Sequence, residues 1–426
     1  MKSKKILMAS LVPFWHRQTG AQQRMFALVQ ALQSTQHQVK TFFPSSEFTS
    51  DQDLIKQYSL DVEQPTSDQP PDGVIPKATW YFRAVFNQLL TLLQTLPYPT
   101  RRLAERTAGM KLDDYLWPWA GVAFEQTVKN YRPDVIICQY VTTAWLLDGL
   151  SASQRSEIHC IIDTHDLLSN RKDQFEQRGH GHWIDISQEE ESRVLAKFDT
   201  VLAIQDAEAA LMRAMAPMTR VIVAGHHAGD CEIVQPKKSA DSSEAKLSLG
   251  YIASVNDSNI DAIESFLEKV WPRIGDRVEV ELVVAGAICE KIASRVDQLN
   301  LQTAGRVRLL GSVENLIDFY QEIDVAINPV QFGTGLKVKT VEAVWHGIPV
   351  LTTEPVVDKE GEPSAAVVYC ESLAQLGDKV EWLLSDGRQP FERLKSTAVK
   401  IAIESADRSG QAVYQEVLDE IARWRA

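Results

Sequence analysis

Short apolar runs alternate along the chain with longer stretches in which apolar positions recur at spacings of three and four. The runs predict buried strands, the stretches predict amphipathic helices, and their alternation predicts βα units with parallel sheets covered on both faces. In the first half, strands are expected over Lys5–Ser10, Val39–Phe43, Asp134–Gln139, His159–Asp163, Thr200–Ile204 and Arg220–Ala224. Helices such as Ala21–Gln33, Trp119–Tyr131, Gln188–Phe198 and Ala207–Met215 fall between them. This series predicts one doubly wound α/β domain over residues 1–224, with an irregular helical insertion at about 65–111.

From 225 to 246 the chain reads "GHHAGDCEIVQPKKSADSSEAK", polar and rich in small residues, which predicts an exposed interdomain connection. A second α/β series over 247–405 places strands at Leu247–Ile252, Val278–Ala285, Val307–Leu310, Val325–Asn328, Pro349–Thr352 and Ala366–Cys370. Its first helix, "SNIDAIESFLEKVW", carries Ile260, Ile263, Phe266, Leu267, Val270 and Trp271 on one side, so that side should face a core. Residues 406–426 predict a last amphipathic helix with Val413, Val417, Leu418, Ile421 and Trp424 in register.

Charge and composition narrow the function. At 426 residues there is room for two cores, and 44 Lys+Arg against 57 Asp+Glu give −13, which argues against a nucleic-acid binder. Cys138, Cys160, Cys231, Cys289 and Cys370 form no CxxC pair, so neither a disulfide framework nor a zinc site is indicated and a cytoplasmic location fits. The opening "MKSKKILMASLVPFW" has the lysines and apolar run of a secretory signal but contains Pro13 and lacks a small-x-small cleavage site, and so reads as a first strand. The stretch 79–111, with Trp80, Phe82, Phe86 and Leu89 near Arg83, Arg101 and Arg102, reads as a helical insertion packed on its domain. The alternative is an amphipathic pair making peripheral contact with the inner face of a membrane.

The most informative stretch is "QFGTGLKVKTVEAVWHGIPVL", from Gln331 to Leu351, where a buried strand leads through a loop into a helix expected near Val338–Trp345. Ligands of parallel sheets bind at such strand-to-helix loops, where helix N-termini carry unpaired N–H groups. Gly333 and Gly335 would let the backbone approach a phosphate, and the amides from Thr334 through Leu336 to Val338 would favour its charge. Lys337 is the first choice for a pyrophosphate and Lys339 the second; Glu342, about one turn on, suits the vicinal hydroxyls of a ribose. A glycine-rich turn with solvated lysines would read the same way from spacing alone. A nicotinamide site is disfavoured because the third glycine of its fingerprint is replaced by Val338.

"FGTGLKVKTVEAVWHGIPVLTT" resembles the nucleotide-sugar motif of GT-B fold glycosyltransferases, particularly the bacterial group that includes the retaining family-4 (group 1) enzymes. "VELVVAGA", "VRLLGSVENLIDFYQEIDVAINPV", "TGAQQRMFALVQALQSTQHQVKTF" and "DTHDLLSNR" resemble other elements of that fold in order. The resemblance implies two Rossmann-like domains facing across a cleft, an N-terminal acceptor domain and a C-terminal donor domain, with the last helix crossing back to the first. It implies that Lys337 meets the diphosphate, Glu342 the ribose, and Gly333, Thr334, Gly335 and Leu336 the phosphates and sugar through their amides. Gly20 and Ala21 would approach the donor from the other domain, Gly311 and Val313 would lie beside the base, and His165 would be directed at the transferred sugar as a catalytic residue alongside Lys337.

Two positions depart from the family pattern. Thr334 stands where many members carry the first carboxylate of a glutamate pair, and Ala253 and Ser254 replace a glycine-serine pair, with Ser254 still able to donate to a phosphate. The expected reaction moves a sugar from a nucleoside-diphosphate sugar to a hydroxyl of a saccharide, lipid-linked or other acceptor, in glycan, polysaccharide or glycolipid synthesis. Neither metal nor cofactor is expected to take part. A non-catalytic nucleotide-sugar scaffold and a sugar-nucleotide epimerase are the competing readings. His180 and His182 in "GHGHW" read as a solvated loop, and His226 and His227 as either substrate contacts or cleft lining.

Overall fold

The computed structural model describes residues 3–425 apart from 18, 45–50, 66–108, 178, 180–181, 227–231, 235–245, 303–305, 314, 332–337, 355–362 and 407–409. The membrane-contact reading of 79–111 lies almost wholly outside these residues. Two compact units emerge, each built on one parallel sheet.

The first unit holds β1 (Lys5–Ala9), β2 (Gln38–Phe42), β3 (Asp61–Glu63), β4 (Val135–Gln139), β5 (His159–Asp163), β6 (Thr200–Ala203) and β7 (Arg220–Val223). They lie in the order β3-β2-β1-β4-β5-β6-β7, so the winding direction reverses between β1 and β4. The segment opening the chain is therefore a central strand, flanked by β2 and β4 in parallel register. Its Ile6, Leu7, Met8 and Ala9 are fully buried, as a strand covered on both faces requires. Sequence periodicity missed β3, a three-residue edge strand too short to show alternation, and the helix Gln52–Gln57 before it.

One layer on this sheet is the helix Gly20–Ser34, whose Met25, Leu28, Val29 and Leu32 pack on Ile6, Met8, Val135 and Ile137. The last helix, Gly410–Arg423, joins the same core through Tyr414, Val417, Leu418 and Ile421. Tyr414, absent from the expected apolar register, is fully buried, and its hydroxyl donates to the Arg24 carbonyl at 3.3 Å. The opposite face is covered by Phe124 and Val128 of the helix Pro118–Tyr131 together with Leu195, Ala209 and Met212.

The second unit holds β8 (Leu247–Ile252), β9 (Val280–Ala285), β10 (Arg306–Gly311), β11 (Val325–Asn328), β12 (Val350–Thr352) and β13 (Val367–Tyr369). Their order, β10-β9-β8-β11-β12-β13, again reverses direction next to the first strand, here between β8 and β11. The helix Asp257–Lys269 and the short turn Trp271–Ile274 bury all six apolar residues expected on the core side of "SNIDAIESFLEKVW". The segment between the sheets departs from its expected exposure at Val234. This residue is buried among Val283, Phe319 and Val344, and its amide donates to the His346 carbonyl at 3.0 Å. Among the described residues no helix is long and apolar enough to cross a membrane.

Candidate functional site

The predicted site residues that are described fall in two groups, one in each unit. In the first unit the helix Gly20–Ser34 begins with two of them. Thr19 Oγ1 accepts from the Gln22 amide at 3.3 Å while Gln22 Oε1 accepts from the Thr19 amide at 3.0 Å, which fixes the helix start and the half-buried backbone of Gly20 and Ala21. The preceding loop is anchored by Asp51, which accepts from Trp15 Nε1 at 2.8 Å and lies 2.9 Å from His16 Nε2.

Beneath that helix start lies a buried ion pair that the sequence reading missed. Arg24 donates from Nε and Nη2 to Asp163 Oδ1 at 3.0 and 2.8 Å, and from Nη1 to the carbonyls of Ala224 and Gly225 at 2.7 and 2.6 Å. Side chains at 24 and 163 are 1% and 0% exposed. Burial alone would push the Asp163 carboxyl up, but the Arg24 guanidinium outweighs it and holds the carboxyl below its ordinary range. A single arginine thus joins the first helix to the carboxyl ends of β5 and β7.

His165 lies two residues beyond the end of β5 and is 4% exposed. Its backbone sits at φ 62°, the left-handed region that costs a residue with a Cβ roughly 1–2 kcal/mol. Tyr140, after the neighbouring β4, has φ 66° as well, and the two rings stack at 4.2 Å with an interplanar angle of 17°. His165 Nε2 lies 2.7 Å from Gln139 Oε1 and 3.8 Å from Asp163 Oδ2. Burial pushes the His165 pKa down to about 4, with Asp163 opposing and Arg24 and His226 reinforcing the shift. The chain beyond it is held by Glu191, fully buried, whose two oxygens accept from the amides of Leu168 and Ser169 at 2.9 and 2.8 Å. His182 is buried rather than solvated, its Nδ1 being 3.0 Å from the Ile184 carbonyl, and its pKa too is pushed down to about 4, first by burial. His180 and His227 lie outside the described residues.

Two buried neutral histidines set a pH dependence. A histidine whose folded pKa lies below its ordinary 6.5 binds its proton more readily when unfolded, so its contribution is complete above 6.5 and is lost as pH falls toward about 4. Urea midpoints should therefore fall between pH 6.5 and 4. A midpoint that stays flat across that window would contradict the neutral burial of both rings.

In the second unit the loops after β8, β9 and β10 are stitched edge to edge. The Ala253 amide donates to the Ala285 carbonyl at 3.1 Å and the Gly286 amide to the Gly311 carbonyl at 2.7 Å. Gly311 has φ +72° and Gly286 φ +89°, both in the region that favours glycine. Ser254 is exposed, and its carbonyl accepts from Asn259 Nδ2 at 2.9 Å; Val313 is partly buried beyond β10.

After β11 comes the helix Val338–Trp345, with the bounds expected from the sequence. Its start lies at the sheet's carboxyl edge, beside the β8/β11 reversal. Gly333, Thr334, Gly335, Leu336 and Lys337 lie outside the described residues. Lys339 contacts Asn259 Oδ1 at 2.5 Å and lies 5.2 Å above the Tyr251 ring, contacts within its own unit that sequence spacing did not foretell. Glu342 is 5% exposed in the middle of that helix. Nearby, Asn328 at the end of β11 donates to Glu354 Oε2 at 2.8 Å, and both are buried.

The model of the "Glycosyl transferase 4-like domain" matches residues 19–225, and that of "Glycosyl transferases group 1" matches residues 246–386. The chain belongs to the group 1 glycosyltransferases. Among solved structures, HepE from Anabaena, in complex with UDP and glucose, is similar at a TM-score of 0.62 and 14% identity, covering 99% of this chain and 100% of that one. Sucrose-phosphate synthase from Thermosynechococcus elongatus gives 0.65 and 15%, covering 99% and 98%. A variant of S. aureus TarM, in complex with fondaparinux, alpha-GlcNAc-glycerol and UDP, gives 0.63 and 11%, covering 98% and 99%. At such identities the likeness is one of fold, GT-B. No curated protein matches the chain in sequence. The group 1 membership makes this glycosyltransferase an enzyme.

Proposed function

We propose that this glycosyltransferase takes a sugar from a nucleoside-diphosphate sugar and passes it to a hydroxyl of a saccharide or lipid-linked acceptor in glycan synthesis, without a metal ion and with retention at the anomeric carbon. The observation that carries the reading is the position of the helix Val338–Trp345. It follows β11, one of the two strands flanking the reversal in the second sheet, where parallel folds of this kind hold their ligands. The solved relatives that contain UDP and a saccharide support the same class of donor and acceptor.

In this reading Lys337 and the amides of Gly333–Leu336 face the diphosphate, Glu342 the ribose, and Gly311, Val313 and Ser254 the base and phosphate side. Gly20, Ala21 and His165 serve from the first unit. Lys339, which contacts Asn259 and lies over the Tyr251 ring, is the second cation assigned to the phosphate side. As the bond from the anomeric carbon to the phosphate oxygen breaks, charge grows on the leaving diphosphate, and Lys337 with the amides stabilises it more in the transition state than in the ground state. The acceptor oxygen bonds to the anomeric carbon from the same face, and its proton passes to the departing phosphate. A location at the cytoplasmic side of a membrane suits a lipid-linked acceptor.

Calorimetry with UDP in the presence of a chelator tests the donor site. Lys337→Ala is expected to weaken binding by roughly 1.5–3 kcal/mol, the scale of a charge-assisted hydrogen bond. Undiminished affinity would remove the phosphate role of Lys337.

A further inference from the structure

Two acceptor oxygens face a single nitrogen of His165. Gln139 Oε1 lies 2.7 Å from Nε2, and Asp163 Oδ2 lies 3.8 Å from the same atom. Both Gln139 and His165 are almost fully buried, at 1% and 4% exposure. The opposite ring nitrogen, Nδ1, is buried with no hydrogen-bond partner among the described residues, which is the unusual condition for a polar atom inside a protein. The ring cannot rotate away from this arrangement easily, because Tyr140 stacks on it from the end of β4.

We propose that Gln139 is a positioning residue that fixes His165 as the tautomer with its proton on Nε2, so that the Nδ1 lone pair is the atom offered to a substrate hydroxyl. The substrate half of this inference rests on the reading of His165 as part of the transfer site. Proton placement follows from the partners: an imidazole nitrogen between an amide oxygen and a carboxylate carries the proton, and the other nitrogen is then an acceptor. The amide oxygen of Gln139 accepts the hydrogen bond from that N–H without adding charge. The charged and titratable groups facing the ring are Asp163 on β5, Arg24 on the first helix and His226 after β7; Arg24 and His226 disfavour a second proton and Asp163 favours one. A glutamate in place of Gln139 would add a second carboxylate next to Nε2, tip that balance toward the imidazolium and cost the ring its lone pair.

The test is long-range ¹H–¹⁵N correlation on the full chain labelled with ¹⁵N-histidine at pH 7, with His165 assigned by difference from His165→Asn. Wild type should show one protonated Nε2 and one bare Nδ1. Gln139→Met should give a mixed or altered tautomer, and Gln139→Glu should protonate both nitrogens. In the glutamate variant kcat should fall about tenfold or more at pH 7 with little change in donor KM, and recover as pH rises through the raised histidine pKa. A wild-type proton on Nδ1, or a tautomer indifferent to both substitutions, would overturn the assignment to Gln139. A tautomer that responds while kcat and its pH profile stay unchanged overturns the placement of His165 in the transfer site instead. The two failures are thus separate readouts.

Discussion

Arg24→Ala is expected to destabilise the first unit by about 3–5 kcal/mol, because it leaves the Asp163 carboxylate buried without its partner and also strips the Ala224 and Gly225 carbonyls of a donor. That is a large share of the stability of an ordinary domain. The loss has a particular origin: removing one half of a buried pair exposes the desolvation cost of the other half rather than the worth of the bond. The double variant Arg24→Met with Asp163→Leu should therefore recover much of the loss in denaturant melts, since neither charge then stays behind. If the double variant were as unstable as the sum of the single ones, the pair would be contributing chiefly through its carbonyl contacts. Activity should separate the variants further. Asp163 lies two residues before His165 and faces its Nε2, so the refolded double variant should still be impaired in transfer.

The same pair shows where sequence reading reaches its limit. The central strands were legible because each is a run of mostly apolar residues buried on both faces, and β4, β5, β8 and β11 sit within a residue of where those runs place them. Helices such as Asp257–Lys269 were legible from the spacing of Ile260, Ile263 and Phe266, and Val338–Trp345 from the loop glycines before it. Glu342 and His165 were legible through position, one inside a helix after a glycine-rich loop and the other at a strand end. Arg24, Gln139 and Asn259 were not. Their roles depend on partners 139, 26 and 80 positions away, and no local period reports such a distance. A signal did exist for Arg24: it is a cation next to Met25 and four residues before Leu28, on a helix face otherwise given to the core. A charge there must either snorkel outward or find a buried counter-charge. For β3 and for Val234 the sequence offers only one or two apolar residues among polar ones, and it is the neighbouring edge or core that gives them their structure.

Gly286→Ala should cost about 2–5 kcal/mol and weaken UDP binding together, although the change adds one methyl group. At φ +89° an L side chain is strained by roughly 1–2 kcal/mol before any contact is considered. The added Cβ would then sit 2.3 Å from the Ala253 carbonyl oxygen and 3.0 Å from its carbon, and these are backbone atoms that have no rotamer by which to move aside. Relief requires shifting the turn after β8, where Ala253 is tied to Ala285 and, through its own carbonyl, to the Ile288 amide at 3.3 Å. Overpacking of this kind adds about 1–3 kcal/mol. Because Ser254 follows Ala253 and Gly311 accepts from the Gly286 amide, the displacement spreads to the two edges assigned to the base and phosphate of the donor. Gly387→Ala is the matched control: its φ of +63° carries similar strain, but the new Cβ would meet nothing within 4 Å, so it should lose only the conformational part and leave UDP affinity intact. Equal losses of UDP affinity in the two variants would show that backbone strain alone, and not the close approach of Gly286 to Ala253, governs the donor edge.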